Sequence, residues 1–289
     1  MTTRAAFMHG FDAQGIIRRV IIVIFTVVTF VYVLLPFYWT FKSSFQTDLE
    51  IMAIPPKWIP QTLTLEFYDQ ALRMSPIPRY MANSLFVSFS TAIICTIFGC
   101  MAGYVLARYS FPGATLILAF FLFNQLIPSI TRIFPVYFLL RDLRMINTYQ
   151  GLIIAYVSFS LPWAVLMLQG FFRTSYPLEL EEAALIDGCN WFTAFTRIIL
   201  PITIPGIMAI SIYSFLNAWN DFLWASIILN KGVMKTIQVG VRDFIGEMGL
   251  QQVNAFMAAC VMAAIPPIIL FRFAERNIVS GLTAGAIKG

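Results

Sequence analysis

Six stretches of this sequence, roughly 18–41, 80–107, 115–140, 149–172, 195–229 and 253–275, are strongly apolar. Each reaches the length of about 20 residues that a helix needs to cross the hydrocarbon of a bilayer. Inside hydrocarbon every backbone polar group has to be satisfied by the protein itself, so a chain patterned this way folds as a bundle of helices. The reading is an all-α membrane protein with six transmembrane helices. The first stretch, about Val20 to Phe41, is longer than a signal-peptide core and lacks a small-residue cleavage site, so it is a retained span. The fifth is too long for one straight crossing and predicts a tilted or broken helix with a re-entrant end.

Charge supports the same class. Only 11% of residues are charged and mean hydropathy is +0.79, against about 25% charged in soluble domains. A net charge of +5 is scattered over helix ends without a basic run, which excludes nucleic acid as a partner. Cys95, Cys100, Cys189 and Cys260 lack metal-ligand spacing and His9 is the sole histidine, so metal and histidine acid–base chemistry have no material. Arg18 and Arg19 precede the first span and vote for an N-terminus inside. Six crossings then place the C-terminus inside as well. The expected organisation is a cytoplasmic tail over 1–17, a transmembrane domain over 18–275 and a cytoplasmic tail over 276–289. Lys42 to Arg79, rich in proline, is expected to form an ordered but irregular external cap. Prolines recur from the third span onward, at Pro128, Pro135, Pro162, Pro201, Pro205, Pro266 and Pro267, and predict bent helices.

One polar island interrupts the apolar pattern, a loop over 171–199. Pro177 suits a helix start, and Glu179, Glu181 and Glu182 follow where the helix dipole favours acid. Leu180, Ala183, Ala184 and Asp187 share a face by spacing, and the alanines keep it low enough to sink into a groove on another protein. Gly188 predicts a left-handed stop, and Asn190 caps the next helix. The segment reads as a helix–turn–helix knob.

The full spacing, Glu182-Ala183-Ala184, three residues, Gly188, nine residues, Ile198-x-Leu200-Pro201, resembles the docking motif of permease subunits of ABC importers. Pro60 to Leu72, Ala218-Trp219-Asn220-Asp221-Phe222 and the end Val279 to Gly289 resemble the carbohydrate branch of that family, the last most like the second, maltose-type permease. The resemblance covers the chain from the first span onward and implies a type I ABC importer transmembrane domain. It implies that Glu182, Ala183, Ala184, Asp187, Gly188, Leu200 and Pro201 meet a cytoplasmic ATPase, and that Gly281, Leu282, Thr283, Ala284 and Gly285 reach into the ATPase dimer. A loop within Lys231 to Gln252 is implied to meet an external binding protein. Implied partners are a second homologous permease in a heterodimer, two ATPase subunits, an extracytoplasmic sugar-binding protein and the inner membrane. The chain has no G-x-x-x-x-G-K-[ST] phosphate loop, so ATP and magnesium belong to a partner and this subunit is not an enzyme and binds no cofactor itself.

Polar groups at membrane depth face a cavity or another helix. Candidates for a solute pathway are Asn83, Asn124, Gln125, Ser158, Gln169, Asn217, Asn220, Asp221 and Asn254, with Trp163, Trp219, Tyr137 and Tyr213 as stacking surfaces. Asn124, Gln125, Asn217, Trp219 and Asn220 are the leading set. Arg132 is an unexpected charge in the third span, which either pairs with Asp142 or Asp221, snorkels, or reads an anionic solute. The resemblance implies a permease subunit importing a sugar or oligosaccharide. A polyol, uronate or glycerophosphodiester solute is the alternative within the class, and an ion-coupled secondary transporter the alternative outside it.

Overall fold

A computed structural model of the chain describes residues 13–246 and 252–286. Five helices in it are long and apolar enough to cross a membrane, and a bent helix pair makes a sixth span. The first helix, α1 (Ala13–Ser43), stands apart from the bundle: none of its most apolar stretch is buried, and its contacts run to the last helix, α13 (Val253–Ala286). After α1, α2 (Asp48–Ile51) and α3 (Glu66–Met74) sit in the segment expected to form the cap. The cap is indeed ordered: Asn254 Nδ2 donates to the Gln46 carbonyl at 2.6 Å, tying it to α13.

The bundle centre is α4 (Ile77–Arg108) against α7 (Tyr149–Thr174). Gly99 and Gly103 on α4 let the two backbones approach closely, because a side chain at Gly103 would stand 3.0 Å from the Gln169 nitrogen and the Leu168 Cβ. Small residues spaced four apart serve that purpose in lipid, where apolar burial gives no driving force. Three buried clusters lie along α4. Tyr80 and Ala92 pack with Phe215, Trp219 and Phe244 toward one end; Val87 with Leu152, Tyr156 and Trp224; and Cys95 and Tyr104 with Leu168, Phe172 and Ile199 toward the other.

The third apolar stretch is not one rod. It forms α5 (Ala114–Leu126), a 3₁₀ turn (Ser129–Arg132) and α6 (Ile133–Asp142), with a bend of 100°. Pro128 explains the break: it has no N–H to continue α5 and holds Ile127 extended, at φ −76°, ψ 119°. The fifth stretch begins at α9 (Trp191–Ala194), widens to a π-turn (Phe195–Ile199), continues as α10 (Leu200–Asn220), breaks at Asp221 and ends in α11 (Leu223–Ile228). The widening sits where Leu200 N–H reaches back to the Phe195 carbonyl and Pro201 supplies no donor at all. α12 (Ile237–Gly246) packs on α13 and α4. α13 passes position 276 without a break and is helical to Ala286, so the expected tail segment Gly281, Leu282, Thr283, Ala284 and Gly285 continues the helix. Residues 1–12 of the expected N-terminal tail, 287–289 of the C-terminal one and 247–251 of the external loop lie outside the described residues.

Candidate functional site

The polar island folds as a knob. Its first helix, α8 (Glu179–Ile186), has Glu179, Glu181 and Glu182 in its first turn. It stops at Gly188, whose φ of +88° is a conformation that costs a side-chain-bearing residue about 1–2 kcal/mol. Two hydrogen bonds close the end: Cys189 N–H to the Ala184 carbonyl at 3.0 Å and Gly188 N–H to the Leu185 carbonyl at 3.1 Å, the pair that defines a Schellman stop. Asn190 then caps α9, its Oδ1 accepting from Thr193 N–H at 2.8 Å. The stop and the cap stand where the sequence predicts them.

The outward face differs from the one expected. Ala184 is buried, and Leu180 is half-buried against the cluster of Tyr104, Phe172 and Ile199, while Glu182, Ala183 and Asp187 project outward together with Ile186, 86% exposed. A helix packed on its own domain can offer only its opposite side, and Leu180 is on the side packed against the cluster that holds Tyr176 and Ile199. Ile186 escaped notice in the sequence, although its spacing from Glu182 and Ala183 puts it on their face. Trp191 and Phe192 on α9 are exposed as well. Leu200 and Pro201 are not on the knob; they line an apolar cavity of about 510 Å³ beside Phe192, Cys100 and Ile204.

Behind α8 lies a buried charge cluster that the sequence pattern did not announce. Glu181, 1% exposed, pairs with Arg108 at 2.8 Å, and Arg108 is itself 9% exposed. Tyr104 OH donates to Glu181 Oε2 at 3.0 Å and Tyr176 OH to Oε1 at 2.6 Å. Arg108 Nη2 also donates to the Tyr176 carbonyl at 3.1 Å, with its guanidinium over the Tyr176 ring. Burial and the Glu181 carboxylate push the Tyr176 phenol well above its usual range, which keeps it a donor. The knob is thereby pinned to the end of α4 by groups with satisfied partners, the condition under which a buried ion pair holds geometry.

A second site lies within the bundle. Gln125, Arg132, Tyr156, Ser160, Tyr213, Asn217 and Asp221 line a polar cavity of about 230 Å³, with Phe159 and Trp224 also in its wall. It brings together Gln125 and Asn217 from the leading set. Asn124 reaches it indirectly, its Oδ1 accepting from Arg132 Nη1 at 3.2 Å. Trp219 does not reach it: the indole is buried and stacked on Phe215 in the core, and so is not a stacking surface in this arrangement. Asn220 is exposed at the end of α10, outside the cavity lining. Asn83 and Asn254 bridge backbone segments and act as structural glue. Arg132 takes neither anticipated partner, since Asp142 pairs with Arg141 and Asp221 accepts from Tyr156 OH at 2.7 Å and Ala225 N–H at 3.0 Å. It is held by Asn124 and the Ile127 carbonyl over the Phe159 ring, with Nε buried and unpartnered.

An exposed, rigidly pinned knob below a polar cavity in a membrane bundle is a transport architecture. Residues 95–283, from the middle of α4 through both sites and into α13, match the family described as binding-protein-dependent transport system inner membrane components. The chain belongs to this family. It is accordingly a multi-pass protein of the inner membrane. A diacetylchitobiose uptake system permease, DasC of Streptomyces coelicolor, is 34% identical over 91% of this chain and 95% of its own length. The trehalose transport system permease SugB of Mycobacterium tuberculosis is 34% identical over 89% of this chain and 93% of its own. In fold, the chain resembles one in the bacterial ABC transporter that imports the acidic polysaccharide alginate, with a TM-score of 0.76 and 19% identity, over 94% of this chain and 99% of that one. The broken third span and the long, uncovered α1 are therefore parts of an inner-membrane transport component.

Proposed function

We propose that this chain is a non-catalytic permease subunit of an ATP-driven importer that takes up a sugar or oligosaccharide. The observation that carries the reading is the knob: a stiff, capped helix pair showing Glu182, Ala183, Ile186 and Asp187 outward while Glu181 anchors it inward. The relatives named for diacetylchitobiose and trehalose support the solute class. A separate ATPase pair seats on the knob and supplies hydrolysis with its own magnesium and ATP. An extracytoplasmic binding protein delivers the solute, and a second, homologous permease completes a heterodimeric pathway. Both termini lie in the cytoplasm, with Arg18 and Arg19 at the inner surface, and the helical segment Gly281 to Gly285 runs toward the ATPases. Glu182→Lys is expected to insert normally but to lose most co-purification with the ATPase, measured by affinity capture from solubilised membranes. Undiminished capture would remove the docking role.

One observation favours a narrower solute class. Arg132 lines the polar cavity with no ion pair among the described residues, and one guanidinium nitrogen there is buried without a partner. Unpaired charge at membrane depth is costly, and a uronate or other anionic group would offset it. Asp221 lines the same cavity and repels anions, so the two charges set a place and an orientation for such a group rather than a uniform positive field. Arg132→Gln is expected to reduce uptake of a uronate oligosaccharide by about tenfold or more while sparing a neutral one, in line with the 1.5–3 kcal/mol of a charge-assisted hydrogen bond. Equal loss for both solutes would eliminate charge recognition.

A further inference from the structure

The external segment after α1 is turned inside out for a loop in water. Of its two charged residues between Leu49 and Ile59, Glu50 is turned inward and Lys57 is held by a neighbour at the surface. Glu50 is buried, accepting from Thr62 N–H at 3.0 Å and Gln61 N–H at 3.3 Å, and Lys57 donates to Gln61 Oε1 at 2.5 Å. The side chains that project are Leu49, Met52, Ile54, Trp58 and Ile59, all apolar and all exposed, Ile54 by 97%. Between them Pro55 and Pro56 carry no backbone N–H that would need a partner away from water.

The depth of this segment follows from α1. From Arg19 to Tyr38 the helix covers about 30 Å at about 1.5 Å per residue, the thickness of the hydrocarbon layer. Tyr38 and Trp39 therefore fall at the outer headgroup level, where aromatic belts collect. Trp58 is fastened to that level: its ring meets Trp39 edge-on at 5.6 Å between centroids, and its carbonyl accepts from Tyr38 OH. Lys42, one turn further out, donates to the Lys57 carbonyl at 2.6 Å. The apolar projections thus lie beside a helix whose most apolar stretch is left uncovered by the rest of the chain.

We propose that Leu49–Ile59 is an in-plane membrane anchor, resting at the outer headgroup level with its aliphatic side chains in the acyl boundary. The occupant of this surface is lipid. A soluble binding protein that docks and leaves needs a polar rim around an apolar centre, and here the only charged side chain not buried from Leu49 to Ile59 is Lys57, whose ammonium is held by Gln61. The anchor would add a lipid contact to the end of α1, which Asn254 on α13 already ties to the bundle through the Gln46 carbonyl.

The test places a bimane fluorophore at position 54 (Ile54→Cys) in the full-length chain, with Cys189→Ala and Cys260→Ala removing the accessible native thiols. The chain is purified with its partners into phosphatidylcholine nanodiscs, with and without brominated acyl chains. Bimane at Glu66→Cys, exposed on α3, is the reference. The proposal expects blue-shifted emission at 54 and a loss of intensity with brominated lipid, and neither at 66. Blue-shifted emission without bromine quenching would mean that a protein partner covers the segment, and emission matching position 66 would mean water; either overturns the anchor.

Discussion

Glu181→Ala is expected to abolish solute-stimulated ATP hydrolysis by the assembled transporter and to lower its thermal stability. The substitution strands Arg108, which is 9% exposed, without its counter-charge, and removes the acceptor of two buried phenols. Breaking one side of a buried pair costs about 3–5 kcal/mol, large enough to detach α8 from the end of α4. The double variant Glu181→Ala/Arg108→Leu separates stability from coupling. Replacing a buried pair with apolar groups is often close to neutral for stability, so the thermal midpoint should recover. Coupling should not, because the tether between knob and bundle is still missing. Both are read on one purified complex, by a melting curve and by ATPase rate with and without solute. Normal stimulation in the single variant would mean that α4 receives its motion through other contacts.

Gly188→Pro is the second large effect. Proline fixes φ near −65°, opposite in sign to the +88° found here, and deletes the N–H that donates to the Leu185 carbonyl. Gly188→Ala calibrates it: a Cβ there meets nothing within 4 Å, so its cost is only the left-handed backbone, about 1–2 kcal/mol. A graded outcome is expected, with partial loss of stimulated hydrolysis for alanine, near-complete loss for proline, and normal membrane insertion in both. Equal activity of the two variants with the wild type would show that the angle between α8 and α9 is not what the ATPase grips.

The local chemistry of the knob was legible because it rests on short-range rules. A glycine after a helical run, an asparagine before the next and acids in the first turn each act within a few residues. Which side of α8 faces outward was not legible, since that depends on Tyr104, Tyr176 and Arg108, and Arg108 is 73 positions away from Glu181 along the chain but in contact with it in space. The spans were readable from apolar length. Their internal breaks were readable only as prolines, with Pro128 giving a 100° bend and Pro162 remaining inside a continuous α7. Of the polar residues at depth, periodicity could not sort cavity from core, because helices in lipid are apolar on most faces. Asn217 and Trp219 are two positions apart, yet one lines the cavity and the other stacks on Phe215.

The most direct test of the central claim, that this knob is the handle of a separate motor, is a photo-activated cross-linker at position 186 in the intact transporter. Ile186 is 86% exposed and forms no part of the internal tether, so the probe should leave the fold undisturbed. The predicted result is a covalent adduct with the nucleotide-hydrolysing subunit whose yield changes between nucleotide-free and ATP-bound states. Adducts with lipid alone, in a complex that still transports, would contradict it.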